Sequence, residues 1–181
     1  MTPRQVVLCH PVRTAIGTYG GSLKEIAAPD LGAVAIRETL AREAEAAASF
    51  YGAISEERSR HTYAPGKWTI REVVAHLSDA ERVFAYRALR FGRADPTPLP
   101  SFDQEIWMPH AHAGARGWAE LVDELAAVRA ASLPLFRSFA PEDWARTGVA
   151  SGATVSVRAL VWVIAGHEVH HRRVLAERYG V

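Results

Sequence analysis

The sequence predicts an all-α protein, a four-helix bundle with a short strand-and-loop extension at its N-terminus. Three observations predict it. Four segments place apolar residues at steps of three and four, the period of one helical face. Breaks rich in glycine and proline separate most of those segments. Hydrophobic residues make up 49% of the 181, enough for one packed core but not for two.

Residues 1–29 are read as the extension, with a β-like run from Gln5 to Cys9 and a turn-rich stretch from His10-Pro11 to Gly20-Gly21. The bundle is assigned to residues 30–181. Its first helix is predicted from an Asp30 N-cap to about Arg58, on the stripe Ala33, Ile36, Leu40, Ala44, Ala47, Tyr51 and Ile54. Tyr63-Ala64-Pro65-Gly66 breaks the chain. Thr69-Ile70-Arg71-Glu72 then has capping-box spacing, in which each side chain satisfies the other's backbone N–H. The second stripe is Ile70, Val73, Leu77, Ala80, Phe84, Ala88 and Phe91, ended by Gly92 and Asp95-Pro96. Residues 93–117 form a long connection with one helical turn in Phe102–Trp107, and its length predicts a departure from plain up-down order. The third helix is predicted over Trp118–Phe139 with a kink at Pro134. The fourth is predicted over Ser156–Tyr179.

Composition removes several functions. Lys and Arg number 21 against 20 Asp and Glu, a net charge of +1 without a basic stripe, so a nucleic-acid partner is not expected. The short basic run His170-His171-Arg172-Arg173 has Glu168 and Glu177 beside it and reads as a solvated helix end. No apolar run approaches the roughly 18 residues of a membrane span, and the N-terminus lacks the order of a signal peptide. The one cysteine, Cys9, excludes an internal disulfide and fits a reducing compartment. A cytoplasmic protein is expected.

The chemistry sits in the last helix. Its stripe reads Val157, Leu160, Ile164, His167, His171, Val174 and Arg178, which assigns two histidines at i, i+4 to the inner face. Burying two imidazoles so close is unfavourable unless their nitrogens are satisfied, and a metal ion does so. Hydrogen bonding to polar neighbours is the blander role. His76 lies at the border of the second stripe, and its position alone favours a polar boundary residue over a ligand.

His167-Glu168-Val169-His170-His171 also satisfies H-E-x-x-H, with Glu168 as the general base of a zinc protease. The context opposes that reading. Ten residues follow His171, Val174 and Glu177 stand where the extended motif needs Gly and His, and no convincing strand precedes the helix.

Three separated motifs resemble the DinB superfamily, and its bacillithiol-transferase-like branch more closely. They are Tyr63 through Trp68 to His76 and Glu81, Phe102-Asp103-Gln104-Glu105-Ile106-Trp107, and Gly166 through His171. The likeness covers about residues 60–180. It implies a DinB-type four-helix bundle with a His triad matching His76, His167 and His171. It further implies one divalent ion (zinc or nickel), a low-molecular-weight thiol as co-substrate, and often a homodimer. Residues 2–42 are similar to the N-terminal end of thiolases (acetyl-CoA acetyltransferases). A thiolase needs about twice this length and a nucleophilic cysteine well beyond this segment, so no thiolase activity is expected. The join falls near Arg42 to Ala47, inside the first predicted helix.

Three imidazoles leave a coordination position open, as catalytic sites do. A thiol or water taking it would be acidified into a nucleophile. The expected function is therefore metal-dependent transfer of a thiol to small electrophiles. Metal-dependent hydrolysis, with Glu168 or Asp103 as base, is the alternative, and a non-catalytic metal-binding bundle is the third reading. Asp103 is a candidate proton acceptor or an exposed N-cap. Arg87, about three helical turns after His76, is a candidate for orienting an anionic group of substrate, or else a surface ion pair. Trp68 and Trp107 are expected to pack, and His10, His61, His110 and His112 to be exposed in loops.

Overall fold

The computed structural model describes residues 28–181, with side chains from residue 38 onward. The strand expected over Gln5–Cys9 therefore lies outside the described residues. Helices α1 (Ala28–Gly52), α2 (Ile70–Gly92), α4 (Trp118–Arg137) and α5 (Val157–Val174) form the bundle, and the short α3 (Gln104–Trp107) lies in the connection between α2 and α4.

Helix α1 begins two residues before the predicted Asp30 cap, with Pro29 in the first turn, where a missing N–H leaves no bond unmade. It also ends earlier than Arg58. Gly52 disfavours continuation, and the chain closes through Ile54 N–H to Tyr51 C=O into a 3₁₀ turn at Arg58–Arg60. Ile54 nevertheless stays buried, which is why the stripe ran on past the helix. Helix α2 starts where expected. Thr69 accepts from the Glu72 N–H, and the Glu72 carboxylate accepts from the Thr69 N–H at 2.7 Å.

Each long helix packs chiefly on two others. Helix α2 lies against α4 and α5, and α1 lies against the same two, so the order around the bundle is α1, α4, α2, α5. Helices α1 and α2 are thus diagonal, as are α4 and α5. The departure from up-down order arises in the first and third connections. The long second connection, expected to cause it, joins neighbours instead. That connection is tied down by buried Arg71, which donates to Arg116 C=O (2.9 Å) and Ser59 Oγ (2.6 Å).

One element was not anticipated. Between α4 and α5 a 3₁₀ turn (Pro141–Ala145) leads into an antiparallel hairpin of β1 (Thr147–Ala150) and β2 (Ala153–Ser156), paired Val149 to Thr154. Ser151 and Gly152, at φ 54° and 76°, make the two-residue turn whose twist suits a hairpin. Gly148 packs against the Phe91 ring so closely that no Cβ would fit.

The core is in two parts. One gathers Leu40, Phe91, Phe136, Trp144, Leu160 and Ile164; the other gathers Tyr51, Ile70, Val73, Leu121, Leu175 and Tyr179. Between them along the helices come polar groups, Glu43, Glu81, Arg129 and Glu168, all buried, with His76, His167 and His171 at the same level. The last stripe differs from expectation at its end. A π-turn over Leu175–Tyr179 advances the phase by one residue, so Leu175 and Tyr179 are buried and Arg178 is exposed.

Candidate metal centre

Helix α5 is capped by Ser156, whose hydroxyl accepts from the Ala159 N–H at 3.2 Å. Eleven residues after that cap, His167 and then His171 point from successive turns toward α2, and His76 comes from the facing side. His167 Nε2 lies 3.2 Å from His76 Nε2 and 3.1 Å from His171 Nε2. The three ligand-capable nitrogens all fall within 4.8 Å of one another. A tetrahedral ion with nitrogen bonds of about 2.05 Å holds neighbouring ligand atoms about 3.3 Å apart, so the triad fits one such ion.

Electrostatics agree with the geometry. Burial lowers the pKa of His76. It lowers His167 to about 4 and His171 to about 3, with repulsion from the neighbouring imidazoles adding to the shift in both. All three rings are therefore neutral near pH 7, the form that offers a lone pair to a metal.

Beside the triad is a pocket of about 440 Å³, walled by Trp68, Phe84 and Phe102 and edged by Gln104, Glu105 and His170. The Trp68 ring sits 5.0 Å from that of His76, and Phe84 is 6.1 Å from Phe102. Trp68, expected only to pack, thus both packs on a ligand and lines the pocket. Gln104, Glu105 and His170 were not singled out as pocket residues. Their signal was the position of Gln104 and Glu105 inside the second motif.

The remaining candidates are elsewhere. Asp103 is exposed and caps α3, accepting from the Glu105 N–H at 2.9 Å. Arg87 is buried, donates to Pro100 C=O (2.7 Å) and Ser151 Oγ (3.0 Å), and lies over the Phe84 and Phe102 rings. It braces the pocket's aromatic wall and the hairpin turn; it is neither a surface ion pair nor among the pocket's lining residues. Glu168, next in sequence to His167, projects about 100° around the helix from it. Its carboxylate is buried, accepts from the Tyr51 hydroxyl at 3.2 Å and lies 3.4 Å from Arg172. Burial raises its pKa, against the pull of Arg172 and Arg129. The base of an H-E-x-x-H protease would have to face the ion, and this carboxylate lines a cavity on the other side of α5.

Comparison with known proteins agrees with this architecture. The sequence profile of the DinB superfamily matches residues 39–175, and the chain belongs to that superfamily. The structure of YfiT from Bacillus subtilis, described as a "probable metal-dependent hydrolase with an unusual four-helix bundle topology", superposes with a TM-score of 0.65 at 16% identity. That match covers 87% of this chain and 92% of the other. A protein of Oceanobacillus iheyensis with a provisional metal-dependent hydrolase name is 36% identical over 55 residues, which are 30% of this chain and 31% of that protein. The β-ketothiolase BktB of Cupriavidus necator is 62% identical over 39 residues, 22% of this chain and 10% of its own length. The thiolase likeness is thus a short partial match. Among the described residues no helix is long and apolar enough to cross a membrane.

Proposed function

We propose that this chain is a metal-dependent enzyme that joins a low-molecular-weight thiol to a small electrophile. The observation that carries the reading is the convergence of three neutral imidazole nitrogens beside a pocket with aromatic walls, with the Glu168 carboxylate turned away. His76, His167 and His171 would hold the ion. Bound there, a divalent ion such as zinc or nickel supplies Lewis acidity, which makes a thiol or water joining it more acidic.

The surroundings favour the thiol as nucleophile. Hydrolysis is helped by a carboxylate base aimed at the attacking water. Among the described residues lining the pocket the one carboxylate is Glu105, which is exposed at the edge. A thiol made acidic needs no such base, because the thiolate itself attacks. Trp68, Phe84 and Phe102 offer flat apolar surface to an unsaturated or aryl electrophile. In the transfer a carbon–sulfur bond forms, the bond from that carbon to its leaving group breaks, and the thiol proton passes to solvent. Hydrolysis is the second reading, favoured by the names of the two metal-dependent relatives.

The test has two parts. Elemental analysis of untagged protein should find about one divalent ion per chain, lost in His167→Ala and kept in Glu168→Gln. An aryl halide should then be consumed only when thiol is added, with loss of at least about a hundredfold in His167→Ala. Turnover of esters at equal rate without thiol would replace transfer by hydrolysis. Equal metal content in wild type and His167→Ala would remove the site itself.

A further inference from the structure

The face of α5 opposite the triad meets a cavity that the metal chemistry does not use. It lies between α1 and α4 and has a volume of about 360 Å³. Its walls are apolar and its side chains short, with Ala47, Ala126 and Ala130 where larger aliphatic residues would close the seam. Exposed Asp123 stands on the α4 side and buried Tyr51 and Glu168 stand at the inner end.

Glu168 is the informative group. It is 2% exposed. Its Oε1 takes the Tyr51 hydroxyl, whereas Oε2 accepts no hydrogen bond. The two nearby guanidiniums are hydrogen-bonded to other carboxylates, and Arg172 adds only an ion pair to Oε2 at 3.4 Å. Arg129 donates from Nε to both oxygens of Glu81, at 2.9 and 3.1 Å, and Arg172 is hydrogen-bonded to Glu43. A buried carboxylate oxygen that accepts no hydrogen bond is costly, and a ligand that donates to it relieves that cost. The volume is within the usual range for small-ligand sites.

We propose that this cavity is a second ligand site and takes a small organic amine. Its ammonium group donates to Glu168 Oε2, and its apolar tail lies against the alanine-lined walls of α1 and α4. Arg129 also lines the cavity, but it is paired with Glu81, so the carboxylates of Asp123 and Glu168 favour a cation over an anion. A neutral alcohol would fill the same walls but bring no positive charge to the carboxylate.

The experiment titrates the metal-loaded protein with hexylamine, hexanol and hexanoate by calorimetry. Hexylamine should bind on the order of tenfold more tightly than hexanol, and hexanoate should not bind. Glu168→Gln should reduce hexylamine to the affinity of hexanol. Ala126→Leu, at an exposed position on the wall that tolerates the larger side chain, should abolish binding of both while leaving metal content unchanged. Because an amine is also a metal ligand, the titration is repeated in His167→Ala, where the affinity should stand. Loss of binding in His167→Ala would place the amine on the ion and overturn the proposal. Equal affinities for hexylamine and hexanol, or amine binding that survives Ala126→Leu, would overturn it as well.

Discussion

At the scale of single residues, the burial that keeps three imidazoles neutral comes at the expense of acid tolerance. In metal-free protein burial holds His167 near 4 and His171 near 3, below the value of about 6.5 for an unfolded chain. Between those limits the unfolded state binds more protons than the folded state, so stability rises with pH. The contribution is complete above about pH 6.5 and is lost as pH falls through 4 and toward 3. The thermal midpoint of metal-stripped protein should therefore drop between about pH 7.5 and 5, and His167→Gln/His171→Gln should flatten the slope. A flat wild-type profile would contradict these shifts. The pair itself was legible in the sequence because i, i+4 spacing is local. His76 was not, since it meets His167 across 91 positions and only the family likeness named it. Glu168 shows the opposite case. Its motif suggested a base, yet adjacent helical residues face about 100° apart, and that rotation takes its carboxylate to another neighbour.

At the scale of elements, the helices were readable and the hairpin was not. The stripe of α2 and its capping box gave both of its ends. Thr69→Ala should cost about 1 kcal/mol in denaturant unfolding through loss of that cap. The hairpin strands, at four residues each, are too short for alternation to register against a helical background. Ser151-Gly152 between Val149 and Val155 was the available signal. The hairpin is nonetheless locked to α2 by Gly148, which rests on Phe91, and by Arg87 bonding to Ser151. Gly148→Ala should overpack that contact and destabilise by about 1–3 kcal/mol, read as a lower urea midpoint at unchanged m-value. An unaltered midpoint would mean that the hairpin shifts freely.

At the scale of the whole molecule, the bundle is two apolar cores with an ionic layer between them. The Arg129–Glu81 pair, with both side chains about 5% exposed or less, spans α4 and α2 in that layer. Removing one partner leaves a buried charge uncompensated. Arg129→Met should cost about 3–5 kcal/mol, and Glu81→Leu/Arg129→Met should recover most of it. A double variant no better than the single would show that the pair is not what balances the layer. The order α1, α4, α2, α5 could not be read from the chain, because apolar stripes state which face is buried and not against which partner.

The arrangement on α5 has a consequence for how such a chain changes over generations. His167 and His171 serve one seam, while Glu168 and Arg172 serve the other, one position later in each turn. Single substitutions can therefore alter either seam without touching its counterpart. A residue deleted between Ser156 and His167 would do something different. It would rotate the following turn by about 100° and present carboxylate and guanidinium where imidazoles belong. Lineages of this fold should thus vary freely in the loops and keep the length of that one segment constant.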